Sequence, residues 1–166
     1  VPRGSILFLA GRGDLFEKSL EALAHWHAQG WAITTIDWRG QGGSGRLGED
    51  ASTGHIDDFA TWIADLALVW RRWQPKAPGP QIVMGHSMGG HLALRGVIDG
   101  AVKPSALVLS APMLGFSTGK VPVGMVAGLI KLAARLLPKR RAWPDNERPS
   151  APGVPRQTFL TQDDGR

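Results

Sequence analysis

Cysteine is absent from the 166-residue sequence, and so is any apolar run of the roughly 18 residues that a membrane-spanning helix needs. The first absence excludes disulfides and thiolate metal sites, and it is typical of proteins from a reducing compartment. No segment with the charged, apolar and small-residue parts of a secretory signal opens the chain. His, Asp and Glu nowhere show the spacing of a metal site. We therefore expect a cytoplasmic protein, or one peripheral to a membrane, with no metal or other cofactor.

Positive charge exceeds negative charge, and the formal net charge is +5 at pH 7. Such a balance permits attraction to any anionic surface, whether nucleic acid or lipid. Much of the excess lies late in the chain, in a segment without the interleaved aromatic residues of a nucleic-acid module. Its members are Lys131, Arg135, Lys139, Arg140 and Arg141. We therefore expect contact with lipid and no nucleic-acid partner.

Apolar segments with the length of strands alternate with segments of helical periodicity. Strands are expected at residues 6–10, 32–37, 81–84 and 106–110, with helical spacing between them. This order predicts an α/β fold, a parallel doubly wound sheet with right-handed crossovers and helices on both faces. In such a sheet ligands bind at the carboxyl ends of the strands. The residues at those ends are Gly11, Asp37, Ser87 and Ser110.

A Gly-His-Ser-Met-Gly motif occupies residues 85–89, directly after the third strand, and Gly90 follows it. A serine between a strand and a helix lies on a strained turn that pushes it toward positive φ and lifts its hydroxyl clear of the sheet. Glycine is required two positions before and after, because a Cβ there would collide with the neighbouring backbone. The motif predicts a nucleophile elbow with Ser87 at its apex; the alternative is a plain glycine-rich turn.

A serine hydroxyl becomes a good nucleophile only when a base takes its proton, and the tetrahedral intermediate needs N–H donors for its oxyanion. The elbow supplies the backbone N–H of Met88. The loop after the first strand, residues 11–13, is suited to supply a second donor, which we assign to the backbone N–H of Arg12. The alternative for this loop is an ordinary turn between a strand and a helix.

Three motifs in register carry a resemblance to a known family. They are Leu-Ala-Gly-Arg-Gly at 9–13, Asp-Trp-Arg-Gly-Gln-Gly-Gly-Ser at 37–44, which matches an Asp-x-x-Gly-x-Gly-x-Ser turn, and Gly-His-Ser-Met-Gly-Gly at 85–90. Over about residues 5–113 the sequence resembles the α/β-hydrolase family. Within it, the sequence is similar to the group of L2-like lysophospholipases and monoacylglycerol lipases, also described as the serine aminopeptidase S33 class.

The resemblance implies a serine hydrolase that cleaves carboxylic esters of lipids through an acyl-enzyme on Ser87. It implies that Arg12 and Met88 are the backbone oxyanion donors, that Asp37 and Arg39 are structural residues of their turn, and that the substrate is a small lipid or other ester. Alanine before the glycine of the first motif departs from the pattern, since many relatives carry histidine there.

The acid and base of the catalytic triad are missing from the sequence. In this family the order is Ser, then Asp or Glu, then His, and the only histidine after Ser87 is His91. His91 lies one turn into the helix that Ser87 opens, so its imidazole points back along that helix and cannot approach the hydroxyl from the substrate side. The remaining histidines are expected to pack, cap or face a helix; they are His25, His27, His55 and His86.

Asp163 and Asp164, which follow a strand-like segment at 157–161, are an alternative for the acid. We expect instead that this tail is still cap, that the triad acid and base lie beyond Arg166, and that the first two strands of the family precede Val1. The chain then resembles an internal piece of a longer hydrolase, and alone it is expected to be nearly inactive on esters.

The composition of the sequence changes after Pro112. We therefore expect a partial hydrolase core at 1–113 and a partial cap or lid segment at 114–166. Within the second part, residues 125–141 form a basic amphipathic helix. Its apolar face carries Met125, Leu129, Leu132 and Leu136, and its basic face carries Lys131, Arg135 and Lys139. One interpretation is a cap helix packed on the core, and the other is a lid whose apolar face meets an acyl chain or a membrane interface.

Two other classes of function compete with a hydrolase. The first is a hydrolase fold that kept the elbow but works as a binding module. The second is a dinucleotide-binding unit built on residues 11–13 and Asp37, although Phe16 replaces the third glycine that such a site requires.

Overall fold

The computed structural model of the chain describes residues 1–14, 16–47, 54–115 and 122–136. It forms two compact units, Val1–Phe116 and Ser117–Arg166. The first unit contains, in chain order, β1 (Gly4–Leu9), α1 (Leu20–Ala28), β2 (Trp31–Ile36), α2 (Phe59–Trp73), β3 (Gln81–His86), α3 (Met88–Ile98) and β4 (Ala106–Ser110). The second contains α4 (Val123–Leu136). The predictions for Lys139, Arg140, Arg141, Asp163 and Asp164 lie outside the described residues.

The four strands form one parallel sheet in the order β2-β1-β3-β4. Leu9 at the end of β1 pairs with Ile36 of β2 on one side and with Gly85 of β3 on the other. The carboxyl ends of the strands therefore meet at one edge of the sheet. The α/β fold predicted from the sequence is confirmed, with strand ends shifted by one or two residues.

Helices cover both faces of the sheet because successive side chains of a strand point to opposite sides. Leu7 and Leu9 of β1 belong to a buried cluster that includes α2 and α3 residues, such as Leu66 and Leu92. Phe8 belongs to a second cluster, which contains Leu23 of α1. The apolar run Ile6–Leu9 of β1 is thus explained by burial on both sides.

Helix α2 begins where Asp58 caps it, with the Asp58 carboxylate accepting the N–H of Ala60 at 2.8 Å. Its buried side chains, Trp62, Leu66 and Trp70, recur every four residues and so form one face. Gly96 of α3 allows a close approach, since a Cβ there would lie 3.0 Å from Cδ2 of Leu66. The helix expected from the spacing between the second and third strands is confirmed.

Strand β4 differs from the other strands in its exposure. Its residues alternate between exposed and half-buried, and the Val108 side chain is 41% exposed. The reason is position, because among the described residues β4 pairs with β3 alone and so forms an edge of the sheet.

Candidate active site

Ser87 lies between β3 and α3 with φ 51° and ψ −117°. Among the described residues, only Ser87 and Ala111 combine a side chain with positive φ. A conformation of this kind costs about 1–3 kcal/mol and persists only where the surroundings hold it. Here the Ser87 N–H donates to the Ser110 carbonyl at 3.0 Å, and the Ser87 carbonyl accepts the N–H groups of His91 at 3.1 Å and Met113 at 3.0 Å. The strained turn predicted from the sequence is confirmed.

The glycines around Ser87 are required by the backbone that surrounds them. A Cβ at Gly85 would lie 2.6 Å from the Gly89 carbonyl oxygen, and one at Gly89 would collide with the carbonyl oxygens of Leu9 and Ala10. The first turn of α3 therefore lies directly on the ends of β1 and β3. This contact is what brings the elbow to the loop that follows β1.

The loop after β1 passes beside Ser87. A Cβ added to Gly11 would lie 3.2 Å from the Cβ of Ser87 and 2.7 Å from a carboxylate oxygen of Asp14. The Arg12 guanidinium hydrogen-bonds to the carbonyl of Gly54 at 3.4 Å. Met88 is fully buried and opens α3, so its N–H has no partner within the helix. The backbone of Gly11 thus lies beside Ser87, which places the start of the loop after β1 next to the elbow.

The turn at residues 37–44 is closed by its own polar groups. The Asp37 carboxylate accepts the N–H of Gly43 at 2.8 Å, and the Ser44 hydroxyl donates to the Asp37 carbonyl at 2.8 Å. Gly42 has φ 53°, and a Cβ there would collide with the Asp37 carboxylate. These contacts agree with the structural role that the resemblance implies for Asp37.

Arg39 joins this turn to α2. Its guanidinium binds the Asp65 carboxylate through two hydrogen bonds, of 2.7 and 2.6 Å. The pKa of Arg39 is raised above its ordinary value, first by the hydrogen bond to Asp65 and then by the charge of that carboxylate. The Arg39 carbonyl accepts the indole N–H of Trp62 at 2.9 Å. These contacts also agree with the structural role that the resemblance implies for Arg39.

Two residues of the turn contact the loop after β1. The sequence predicted no role for either of them. The indole N–H of Trp38 donates to the Ala10 carbonyl at 2.9 Å, and the Gln41 side-chain oxygen accepts the N–H of Gly13 at 2.5 Å. Both side chains are buried. Their only sequence signal is membership of the Asp-x-x-Gly-x-Gly-x-Ser turn, which does not show what they contact.

Four of the five histidine side chains have contacts with residues other than Ser87. The His91 ring packs edge-on against Phe59 of α2, with centroids 6.3 Å apart, and His86 Nδ1 lies 3.4 Å from the Ser110 hydroxyl. His55 pairs with Asp57 at 2.9 Å, and His27 contacts the Trp31 carbonyl at 3.2 Å. Within the described residues, no histidine side chain hydrogen-bonds to the Ser87 hydroxyl. The expectation that His91 is not the base agrees with its packing.

A metal site and a membrane span each have requirements that the described residues do not meet. In the described part of the chain, no three His, Asp or Glu side chains come together in a way that could hold a metal ion. None of the helices formed by the described residues is long and apolar enough to cross a membrane.

Comparison with known proteins gives a family and several relatives. A sequence model of the family "Serine aminopeptidase, S33" matches residues 1–162. The chain is 34% identical to lysophospholipase L2 of Escherichia coli (strain K12) over 119 residues, which are 66% of this chain and 33% of that protein. It is 29% identical to the monoacylglycerol lipase of Mycolicibacterium smegmatis over 141 residues, 82% of this chain and 47% of that lipase.

Solved structures show the same fold. The monoacylglycerol lipase of Paleococcus ferrophilus superimposes with a TM-score of 0.61 at 23% identity, over 83% of this chain and 49% of the lipase. A soluble variant of monoglyceride lipase from Saccharomyces cerevisiae, in complex with a substrate analog, gives 0.63 at 22% identity, over 82% and 45%. The chain thus spans a third to about half of the length of the relatives it matches.

Proposed function

The chain belongs to the serine aminopeptidase S33 family of α/β-hydrolases, and from that premise we propose that the complete protein hydrolyses carboxylic esters of lipids through an acyl-enzyme on Ser87. The observation that carries the proposal is the strained backbone of Ser87, with the loop after β1 beside it. Residues with a strained backbone cluster at active sites and other functional sites. The matched relatives are named as lysophospholipases and monoacylglycerol lipases. We therefore propose a lipid with a single ester-linked acyl chain as the substrate class.

In the proposed reaction, a base removes the proton of the Ser87 hydroxyl while Oγ attacks the ester carbonyl carbon. The carbonyl oxygen becomes an oxyanion, to which the backbone N–H groups of Met88 and Arg12 donate hydrogen bonds. Collapse of this intermediate breaks the bond to the alcohol, which leaves with the proton held by the base. Water then attacks the acyl-enzyme by the same route and releases the fatty acid.

The base and its carboxylate partner belong, in this proposal, to parts of the protein outside the chain. The histidine side chains of the chain make their contacts away from the Ser87 hydroxyl. The chain also spans only part of its relatives. Alone, it therefore holds a nucleophile and an oxyanion hole without a complete triad.

We also propose that α4 contacts the lipid surface that holds the substrate. One face of this helix carries exposed apolar side chains, and they are Met125, Leu129, Leu132 and Leu136. Lys131 and Arg135 are exposed on another face. A helix with an apolar face and flanking basic residues binds at an anionic lipid interface. The alternative is a cap helix whose apolar face packs on protein.

Ser87→Ala in the complete protein tests the chemistry. We expect hydrolysis of a p-nitrophenyl acyl ester to fall by on the order of 10⁴-fold or more, because the nucleophile is gone. Labelling by a fluorophosphonate probe, which requires an activated serine, should disappear as well. Ser19→Ala is the matched control, since the Ser19 side chain makes no cap hydrogen bond to α1.

Two results would contradict the proposal. Hydrolysis that persists in Ser87→Ala would show that another group carries the reaction. A complete, folded protein that neither hydrolyses esters nor reacts with the probe would favour the binding module, whose Ser87 is not activated.

A further inference from the structure

Gln41 is buried, with 5% of its surface exposed, and it binds the loop that carries Arg12. Its side-chain oxygen accepts the backbone N–H of Gly13 at 2.5 Å. The Gly13 N–H is a donor and needs an acceptor. The oxygen of the Gln41 amide, and not its nitrogen, must therefore face Gly13. The Gln41 backbone is fixed in its own turn, because its N–H donates to the Trp38 carbonyl at 2.9 Å and its carbonyl accepts the Ser44 N–H at 3.0 Å. The side chain therefore links a rigid turn to Gly13.

The same turn holds the loop at a second point. Trp38 donates its indole N–H to the carbonyl of Ala10 at 2.9 Å, and both residues are buried. Arg12 lies between Ala10 and Gly13, so the turn holds a peptide group on each side of it. An oxyanion donor must lie about 2.7–3.1 Å from the oxygen that becomes charged. A loop held at both points keeps such a donor in place before the substrate arrives.

The nitrogen of the Gln41 amide makes no hydrogen bond within the described part of the chain, which bears on whether Gln41 serves stability or the position of the loop. This Nε2 atom is buried and has no hydrogen-bond partner among the described residues. A buried donor without a partner lowers the stability of the fold, and an apolar side chain of the same length would avoid that loss. Gly13 is an exposed residue, so water can reach this part of the loop when Gln41 is replaced. The stability that the bond to Gly13 contributes is offset by the unpaired amide nitrogen, which leaves the placement of the loop as the reason for a glutamine here.

We propose that Gln41 is a positioning residue, which holds the Arg12 N–H in the oxyanion hole of Ser87 through its hydrogen bond to Gly13. The inference rests on the proposed function, because it concerns the same oxyanion. It adds a reason for the Asp-x-x-Gly-x-Gly-x-Ser turn beyond its own closure. The turn joins the oxyanion loop to the rest of the sheet.

Gln41→Met in the complete protein tests this. Methionine has nearly the length of glutamine and lacks the acceptor. We expect kcat for a p-nitrophenyl ester to fall by about 10- to 100-fold, somewhat less than the loss of a whole oxyanion donor. KM should change by less than about threefold, because the substrate carbonyl gains its charge only in the transition state. The rate of fluorophosphonate labelling should fall in parallel, and the thermal unfolding midpoint should stay level or rise.

Gln81→Met is the matched control, at the opposite end of the sheet. The Gln81 amide nitrogen donates to the carbonyls of Gln74 at 2.7 Å and Ala77 at 2.9 Å. Its loss should therefore lower the unfolding midpoint and leave kcat unchanged. Gln41→Asn is a second variant in case the methionine does not fold. It keeps an amide but withdraws the oxygen from Gly13, and it should lower kcat to a similar extent.

The outcomes separate the two proposals. A wild-type protein without hydrolysis or labelling overturns the proposed function, and the positioning role with it. An active wild type with Gln41→Met and Gln41→Asn at wild-type kcat overturns only the positioning role. So does a loss of kcat that merely follows a lower unfolding midpoint, because that is the behaviour of a scaffold residue.

Discussion

An alanine at position 89 would place a methyl group on the carbonyl oxygens of Leu9 and Ala10. No rotation of the side chain relieves this contact, since the Cβ atom is fixed by the backbone of α3. The contact is also what brings the elbow and the loop after β1 together. A single hydrogen atom in place of a side chain therefore determines how closely Ser87 approaches the loop after β1.

Gly89→Ala is expected to lower the free energy of unfolding by about 2 kcal/mol or more, as overpacking against fixed backbone does. Helix propensity alone predicts the opposite, a gain of about 1 kcal/mol for alanine over glycine inside a helix. Gly128→Ala in α4 is the control, because a Cβ there meets nothing within 4 Å. Thermal or denaturant unfolding measures both variants. A Gly89→Ala protein as stable as the wild type would show that the two backbones can separate at no cost.

At the scale of elements, the turn at residues 37–44 joins the loop after β1 to helix α2. Its contacts with α2 include the paired hydrogen bond between Arg39 and Asp65. The raised pKa of Arg39 means that this stabilisation is complete below the ordinary pKa of arginine and is lost only above the raised one. The Arg39 guanidinium therefore stays charged over the whole pH range in which an esterase is assayed. Salt screens its attraction to Asp65, because the Arg39 side chain is exposed.

Charge reversal on α4 tests the lipid contact. Lys131→Glu together with Arg135→Glu should lower binding to anionic phospholipid vesicles at least tenfold, because each basic residue near such a surface contributes about 1 kcal/mol. Lys76→Glu together with Lys103→Glu is the control, since it changes the net charge equally at exposed sites of the first unit. Vesicle sedimentation measures both. Equal binding by the two double variants would leave α4 as a cap helix packed on protein.

At the scale of the whole molecule, the 166-residue chain expressed alone should hydrolyse p-nitrophenyl esters no faster than its own Ser87→Ala variant. The reason is the missing base, since an oxyanion hole cannot activate a serine hydroxyl. Stopped-flow absorbance measures the release of p-nitrophenolate. A burst of product from the chain alone, absent from its Ser87→Ala variant, would show that the chain already holds a working base.

The features predicted correctly from the sequence are those that depend on neighbouring residues. Apolar runs and glycine spacing predict the strands, the elbow and the positive φ of Ser87, because the steric cause lies within a few residues along the chain. The position of His91, one turn into α3, is local in the same way, and its packing against Phe59 agrees with the prediction that it is not the base.

The contacts of Trp38 and Gln41 could not be predicted, because each joins residues 28 positions apart. They depend on the register of β2 beside β1, which sets how far the turn extends over the neighbouring loop. Roles for Ser87, Met88 and Arg12 stay predictions, because geometry shows where groups lie and only a reaction shows what they do.

The outer edge of β4 has a consequence for how the molecule associates. Its outward backbone groups and the exposed Val108 side chain are a template on which another strand can add. A chain in which this edge is uncovered is expected to join others through it. A strand added there would lie next to the residue that holds the elbow, since Ser110, the last residue of β4, accepts the N–H of Ser87. One hydrogen bond thus links the margin of the sheet to the backbone of Ser87.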